Sequence, residues 1–103
     1  MLARLTHLKF LPEHSDQIRK IYNEEVIPVV KSQKGNNDVM LLEPVDKSDD
    51  YISLTMWNSK ADADAYEASG TYNKLVDKVR SMLTKESVLK TYNYEEVSEM
   101  AHS

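Results

Sequence analysis

The chain has 103 residues, no cysteine and a formal net charge of −4, with 13 Lys and Arg against 17 Asp and Glu. This length fits one domain, and the dispersed acidic charge argues against a nucleic-acid partner, because phosphate binding requires clustered positive charge. The absence of cysteine excludes disulfides and thiolate chemistry. No apolar run approaches the roughly 20 residues that span a bilayer, and no secretory signal is recognised at the N-terminus. A cytoplasmic location is therefore expected.

The first predicted element is a strand. Residues 2–11 alternate between two faces, with Thr6 and Leu8 on one and Leu5 and His7 on the other. Both faces carry apolar side chains, so the alternation does not decide which face meets the rest of the chain.

A helix, a turn and a second strand are predicted next. Ser15 is expected to cap a helix whose apolar residues recur as far as Val30, and Pro28 is expected to kink or end that helix early. The composition of residues 34–38 is typical of a turn, and residues 39–44 are predicted to form a strand.

The second half of the chain repeats this alternation of strand and helix. The predicted elements are a strand over 51–57, a helix that opens with a capping box at Ser59 and stops at Gly70, a further helical segment over 72–83 and a strand over 87–95. The acidic stretch before residue 51 is predicted to join two strands as a hairpin.

The order β-α-β-β-α-β predicts an α+β, ferredoxin-like split βαβ fold, an antiparallel sheet with both helices on one face. A single domain over 1–97 is expected, followed by a polar tail over 98–103. The chain offers no third layer, so the apolar side chains of the opposite sheet face, including either Leu5 or Leu8, are expected to be buried against a second protomer.

The segment WNSKADADAYEASGTYNKLVDKV, which begins at Trp57, resembles the signature of the antibiotic biosynthesis monooxygenase family. A strand ends in Trp, a Ser-Lys step opens a helix, and two aromatic residues flank a small one, positions filled here by Trp57, Ser59, Tyr66, Ser69 and Tyr72. The resemblance covers residues 2–95. It implies a homodimer, the dimeric α+β barrel, in which each protomer keeps a pocket between sheet and helices.

The family includes quinol and anthrone monooxygenases that need neither metal nor flavin, and also haem-degrading oxygenases. Where the haem-degrading branch has an Asn, a Trp and an iron-ligating His, this chain has Thr6, Tyr66 and Val76. Valine cannot ligate iron, so the resemblance implies no cofactor, although His7 or His14 remains available to bind haem in another pose. No metal site is expected, because neither histidine has a second ligand three or four residues away.

Five residues are candidates for the pocket. Tyr66 and Tyr72 are predicted to be catalytic, because a phenol with a lowered pKa takes a proton from a hydroquinone or anthrone, whose carbanion then reacts with oxygen. Thr6, Trp57 and His7 are predicted to bind substrate, although Trp57 also suits the closing of a strand end. Alternation places His7 opposite Thr6, so both face one pocket only if a bulge intervenes.

Three functional hypotheses follow. The first is a cofactor-independent monooxygenase that acts on a small aromatic, quinol-like substrate. The second is a non-catalytic dimer that binds a small apolar ligand or haem, which the lack of an evident acid–base pair favours. The third is a dimerisation module whose interior is filled by side chains.

Overall fold

The computed structural model describes residues 1–95. Their strands are β1 (Leu2–Leu8), β2 (Asn36–Leu42), β3 (Tyr51–Trp57) and β4 (Val88–Asn93), and their helices are α1 (Ser15–Ile21), α2 (Ile27–Lys31), α3 (Lys60–Ala68) and α4 (Thr71–Arg80). The strands pair antiparallel in the order β2-β3-β1-β4, and the helices pack on one face. The predicted ferredoxin-like α+β fold is confirmed. The predicted tail lies outside the described residues.

The first helical stretch continues through its proline. Between α1 and α2, Tyr22–Val26 form a π-helix, in which the N–H of Ile27 donates to the carbonyl of Tyr22, five residues earlier. Pro28 follows at the start of α2 and does not end the helix, because the wider turn has already changed the hydrogen-bond ladder that a proline would break.

The start of α1 differs from the prediction. A short 3₁₀ helix over Pro12–His14 precedes it, so His14 rather than Ser15 occupies the N-cap position. The hydroxyl of Ser15 donates to the Pro12 carbonyl at 2.8 Å instead of capping α1.

The predicted turn over 34–38 is wrong in its second half. Asn36 and Asp38 belong to β2, with a bulge between them, and Asn36 pairs with Trp57 at the end of β3. Pairing with β3 outweighs the poor intrinsic strand preference of Asn and Asp. Gly35, with φ of 81°, supplies the turn itself.

The predicted hairpin and the broken second helix are confirmed. Strands β2 and β3 pair antiparallel across the polar loop of residues 43–50. Ser59 caps α3 by accepting the N–H of Asp62 at 3.2 Å, and Gly70, with φ of 84°, separates α3 from α4.

Strand register decides which side of β1 meets the helices. Thr6 pairs with Ser53 and Leu5 pairs with Leu54, and directly paired residues share a face. Thr6 and Leu8 are buried beneath the helices, so Leu5 lies on the opposite face, called here the open face. Its central apolar residues are Leu5, Met40, Leu42, Ile52, Leu54 and Met56.

Within residues 1–95, no element packs over the open face. Leu42, Val88 and Tyr92 are among the large apolar or aromatic side chains that the chain leaves exposed. In the same part of the chain, no helix is long and apolar enough to cross a membrane.

Candidate functional site

A cavity of about 50 Å³ lies between the sheet and the helices. Its apolar wall comes mainly from helical residues, namely Ile18, Val26, Val30, Leu75, Val76 and Val79. Its polar groups are contributed by Arg4, Thr6, Tyr22, Ser53, Thr55, Tyr66 and Tyr72. A purely structural module would have an interior filled by side chains beneath Tyr66. The cavity shows that the interior is not filled in this way.

This volume holds only a few water molecules, whereas small-molecule sites usually measure roughly 300–1,000 Å³. An aromatic ring therefore fits only when lining side chains move outward.

Thr6 and Tyr72, two of the predicted site residues, meet in the cavity. The Thr6 Oγ1 and the Tyr72 hydroxyl oxygen are 3.0 Å apart, and either group can be the donor. This hydrogen bond joins the centre of β1 to the first turn of α4. One of the two hydroxyl hydrogens is used in this hydrogen bond, and the other remains available to a ligand.

Tyr66 reaches the cavity from α3 and is held between two aromatic rings. It stacks on Trp57 with ring centroids 4.9 Å apart and meets the edge of Tyr72 at 6.1 Å. Trp57 is fully buried, and its indole N–H donates to the hydroxyl of Thr55 at 2.9 Å. The structure thus places Trp57 behind Tyr66 and outside the cavity lining, where it supports Tyr66 instead of touching a ligand.

The predicted lowering of the Tyr66 pKa is wrong. Burial raises the pKa of the Tyr66 hydroxyl above its ordinary value, and the smaller effect of the Arg4 charge does not reverse this. Tyr66 is consequently a neutral phenol at physiological pH. It can donate a hydrogen bond to a ligand oxygen but cannot act as a phenolate base.

Sequence analysis missed four polar cavity residues, Arg4, Tyr22, Ser53 and Thr55, of which Arg4 is the charged one. The Arg4 side chain is only 4% exposed, and Nη1 donates to the Ala63 carbonyl at 3.3 Å and pairs with Oε1 of Glu67 at 2.9 Å. The guanidinium carbon lies 5.0 Å from the centre of the Tyr72 ring. Nη2 is buried and has no hydrogen-bond partner among the described residues.

A sequence signal for Arg4 did exist. It is the one Lys, Arg, Asp or Glu in β1, and it shares a face with Thr6, which was already a pocket candidate. A buried charge in such a position usually needs a partner, and this requirement marks it as a functional candidate.

His7 lies on the open face, away from the cavity. The pairing of β1 with β3 is regular from Leu2 to Leu8, so no bulge turns His7 inward. Its Nδ1 is 3.7 Å from Oδ2 of Asp50, in a separate groove at the edge of the open face. The interpretation of His7 as a pocket residue therefore does not agree with the structure.

The cavity residues do not fit a haem held by a histidine. Among residues 1–95, no histidine lines the cavity, and Val76 lines it from α4. His7 faces the other way, and a cavity of about 50 Å³ is too small for a porphyrin. Within residues 1–95, no cluster of three or more acidic or histidine side chains is arranged to hold a metal ion.

The sequence profile of the antibiotic biosynthesis monooxygenase family matches residues 1–78. A comparison with curated proteins found no match.

Solved structures share the fold at low sequence identity. A protein from Deinococcus radiodurans, provisionally assigned as an antibiotic biosynthesis monooxygenase, has a TM-score of 0.80 and 12% identity over 96% of this chain and 97% of its own. A similarly assigned protein from Nitrosomonas europaea has a TM-score of 0.76 and 13% identity over 91% and 98%. MhuD, a heme-degrader from Mycobacterium tuberculosis with two hemes bound in its active site, has a TM-score of 0.75 and 17% identity over 95% and 100%.

Proposed function

Because the chain belongs to the antibiotic biosynthesis monooxygenase family, we propose that it is a cofactor-independent monooxygenase acting on a small aromatic, quinol-like substrate. The observation that carries this proposal is the cavity, in which Thr6, Tyr66 and Tyr72 line a space whose other walls are largely apolar. This combination suits a flat, largely apolar molecule with oxygen atoms at its edge.

Such a substrate supplies its own electrons. When the methylene group of an anthrone is oxidised to a carbonyl by O₂, one oxygen atom enters the product, and the other leaves as water with the two methylene hydrogens. A hydroquinone that becomes a hydroxyquinone balances in the same way. The protein then has to bind the ring, exclude water and stabilise the substrate anion that reacts with oxygen.

Anion stabilisation is the role that the tyrosines support. No carboxylate or histidine is among the lining residues found within 1–95, and Tyr66 is a neutral donor. When Thr6 donates to Tyr72, the Tyr72 hydroxyl hydrogen is left free to be donated to a substrate oxygen, as is that of Tyr66. Two such donors stabilise a developing oxyanion, and the proton that the substrate loses passes to solvent water as it binds.

The test is oxygen uptake with anthrone and with 1,4-naphthohydroquinone, corrected for the rate without protein. Loss of both hydroxyls in Tyr66→Phe, Tyr72→Phe should lower the protein-dependent rate by about tenfold to a hundredfold, because each oxyanion donor contributes to the transition state. Tyr92→Phe, which changes an exposed tyrosine, is the control and should match the parent. Equal and negligible uptake by parent and double variant would overturn the enzyme proposal for these substrates.

A non-catalytic small-ligand protein is the second candidate, and the raised pKa of Tyr66 favours it. With no carboxylate or histidine among the lining residues described within 1–95, the cavity is suited to hold a ring without transforming it. Saturable binding of naphthohydroquinone under nitrogen, with no protein-dependent oxygen uptake in air, would identify this function instead.

We also propose that the protein is a homodimer in which a second copy covers the open face. A continuous apolar surface on the centre of a sheet is costly to leave in water, and face-to-face packing of two sheets about 10 Å apart removes it. The same face presents identical residues in both copies, as a two-fold symmetric interface requires.

A further inference from the structure

We propose that Arg4 forms an anion subsite in the cavity, and that the natural ligand is an aromatic molecule whose ring carries an anionic oxygen, a carboxylate or a phenolate, bound at Nη2. This inference uses the same cavity as the proposed function and names its ligand class. It does not depend on whether the ligand reacts with oxygen.

The orphaned nitrogen is the central observation. The Arg4 side chain donates a hydrogen bond to Ala63 and forms an ion pair with Glu67, both through Nη1, while the buried Nη2 has no partner among the described residues. A buried N–H without an acceptor carries a substantial desolvation cost, and it is retained where a ligand or water completes it. Arg4 is a lining residue, so the acceptor can come from the cavity.

The surroundings hold the guanidinium in place for this role. Strand β1 fixes its backbone, Glu67 and Ala63 hold one arm, and the ring of Tyr72 lies under its face at 5.0 Å. A guanidinium held in this way loses little side-chain entropy when it binds an oxygen, because its rotamer is already set.

Charge favours an anion over a neutral acceptor. Glu67 is about half exposed and pairs with Arg4 from its outer side, where water screens it, while Arg4 itself is almost completely buried. No other basic side chain is among the lining residues within 1–95. The chain as a whole has a net charge of −4, which does not attract anions. A preference for anionic ligands would therefore come from the local charge of Arg4. Hydrogen bonds to an ionised acceptor are about twice as strong as neutral ones.

The decisive experiment compares two ligands that share one ring system. Fluorescence titration with 2-naphthoate and with 2-naphthol, at neutral pH and constant salt, reports binding without any oxygen chemistry. The parent should bind 2-naphthoate at least about tenfold more tightly. If the subsite also accepts a phenolate, raising the pH until 2-naphthol ionises should strengthen the binding of 2-naphthol. An unchanged affinity would restrict the ligand class to carboxylates.

Variants assign the preference to Arg4. Arg4→Gln should abolish it, and Arg4→Lys should restore part of it, since the charge returns without the second arm of the fork. Glu67→Gln keeps Arg4 intact and should tighten 2-naphthoate binding while leaving 2-naphthol unchanged. Lys60→Gln, which removes an exposed basic residue paired with Asp64, is the control and should match the parent.

Equal affinity for the two ligands in the parent, no binding of either, or a preference that survives in Arg4→Gln would each overturn the subsite. If Arg4→Gln does not fold, the parent comparison and Glu67→Gln decide. A carboxylate preference without oxygen uptake would support the subsite and overturn the monooxygenase. Oxygen uptake without that preference would do the reverse.

Discussion

The phenols of Tyr22 and Tyr66 are held out of water beneath the helices. The Tyr22 hydroxyl donates to the Met40 carbonyl at 3.0 Å and lies 2.8 Å from the hydroxyl oxygen of Ser53. Burial raises the pKa of Tyr22 to about 12, because an ionised phenolate would lose its hydration, and the hydrogen bond with Ser53 offsets only part of this. The folded state therefore favours the neutral, protonated form of both phenols.

Stability should consequently fall in alkaline solution. The folded-state pKa of Tyr22 lies above its ordinary value of 10.0, so the unfolded chain releases the phenol proton first and rising pH favours unfolding. The contribution of Tyr22 is complete below the ordinary value and is lost as the pH rises toward the folded-state value, a change on the order of 2 kcal/mol. Urea denaturation followed across this pH range measures it.

Two variants separate Tyr22 from other groups that titrate in the same range. Tyr22→Phe should decline less steeply with pH, although it starts from a lower stability because its hydrogen bonds are lost. Tyr92→Phe, at an exposed position, should keep the slope of the parent. Parallel pH profiles for the parent and Tyr22→Phe would show that Tyr22 is not responsible.

Gly70 is the single residue that sets the relation between α3 and α4. Its φ of 84° lies in the left-handed region, which interrupts the helical path between the two helices. Tyr66 before the turn and Tyr72 after it are thereby brought edge to face with ring centroids 6.1 Å apart. A helix running without a break through residue 70 would separate these two rings.

Replacing Gly70 by Ala should lower the free energy of unfolding by about 1 kcal/mol. An added Cβ would have no atom within 4 Å, so the loss comes from the backbone alone. Gly70→Asn should lose less, because Asn adopts the left-handed conformation more readily. Chemical denaturation measures both, with Asn73→Ala in α4 as a control that should cost nothing. An equal or larger loss in Gly70→Asn than in Gly70→Ala would contradict this explanation.

The π-helix shows how neighbouring elements modify a local rule. Pro28 normally predicts the end of a helix, yet α2 continues to Lys31 because the π turn precedes it. Val26, at the end of the π turn, and Val30, in α2, both contribute to the cavity wall, four residues apart on one face.

At the scale of the whole molecule, the helices cover one face of the sheet and leave the open face without a partner within residues 1–95. Arg4 and Thr6 lie beneath the helices, while Leu5 and Leu54 form the middle of the open face. The proposed ligand site and the proposed dimer interface thus lie on opposite sides of the same four strands.

Leu54→Asp should convert the dimer to a monomer. A carboxylate at the centre of the open face would be buried without a counter-charge, which strongly disfavours association. Molar mass from light scattering during size-exclusion chromatography measures the change. Val45→Asp adds the same charge at a fully exposed loop position and should remain dimeric. A parent protein that is already monomeric at high concentration would overturn the proposed dimer.

The sequence by itself determined the order of the main elements and several of their boundaries. Strand alternation, the Ser59 cap and the Gly70 break depend on neighbours in the chain, so their patterns predicted β3, the start of α3 and the end of that helix. The split βαβ fold followed from their order, and the segment beginning at Trp57 identified the family.

Tertiary structure decided the composition of the site. A period of two places Thr6 and His7 on opposite faces of β1 but does not say which face is covered, and only the pairing and the packed helices chose Thr6. The raised pKa of Tyr66 and the unpaired nitrogen of Arg4 likewise arise from burial by residues distant in the chain. Burial and charge environment are properties of the assembled layers, and no local pattern carries them.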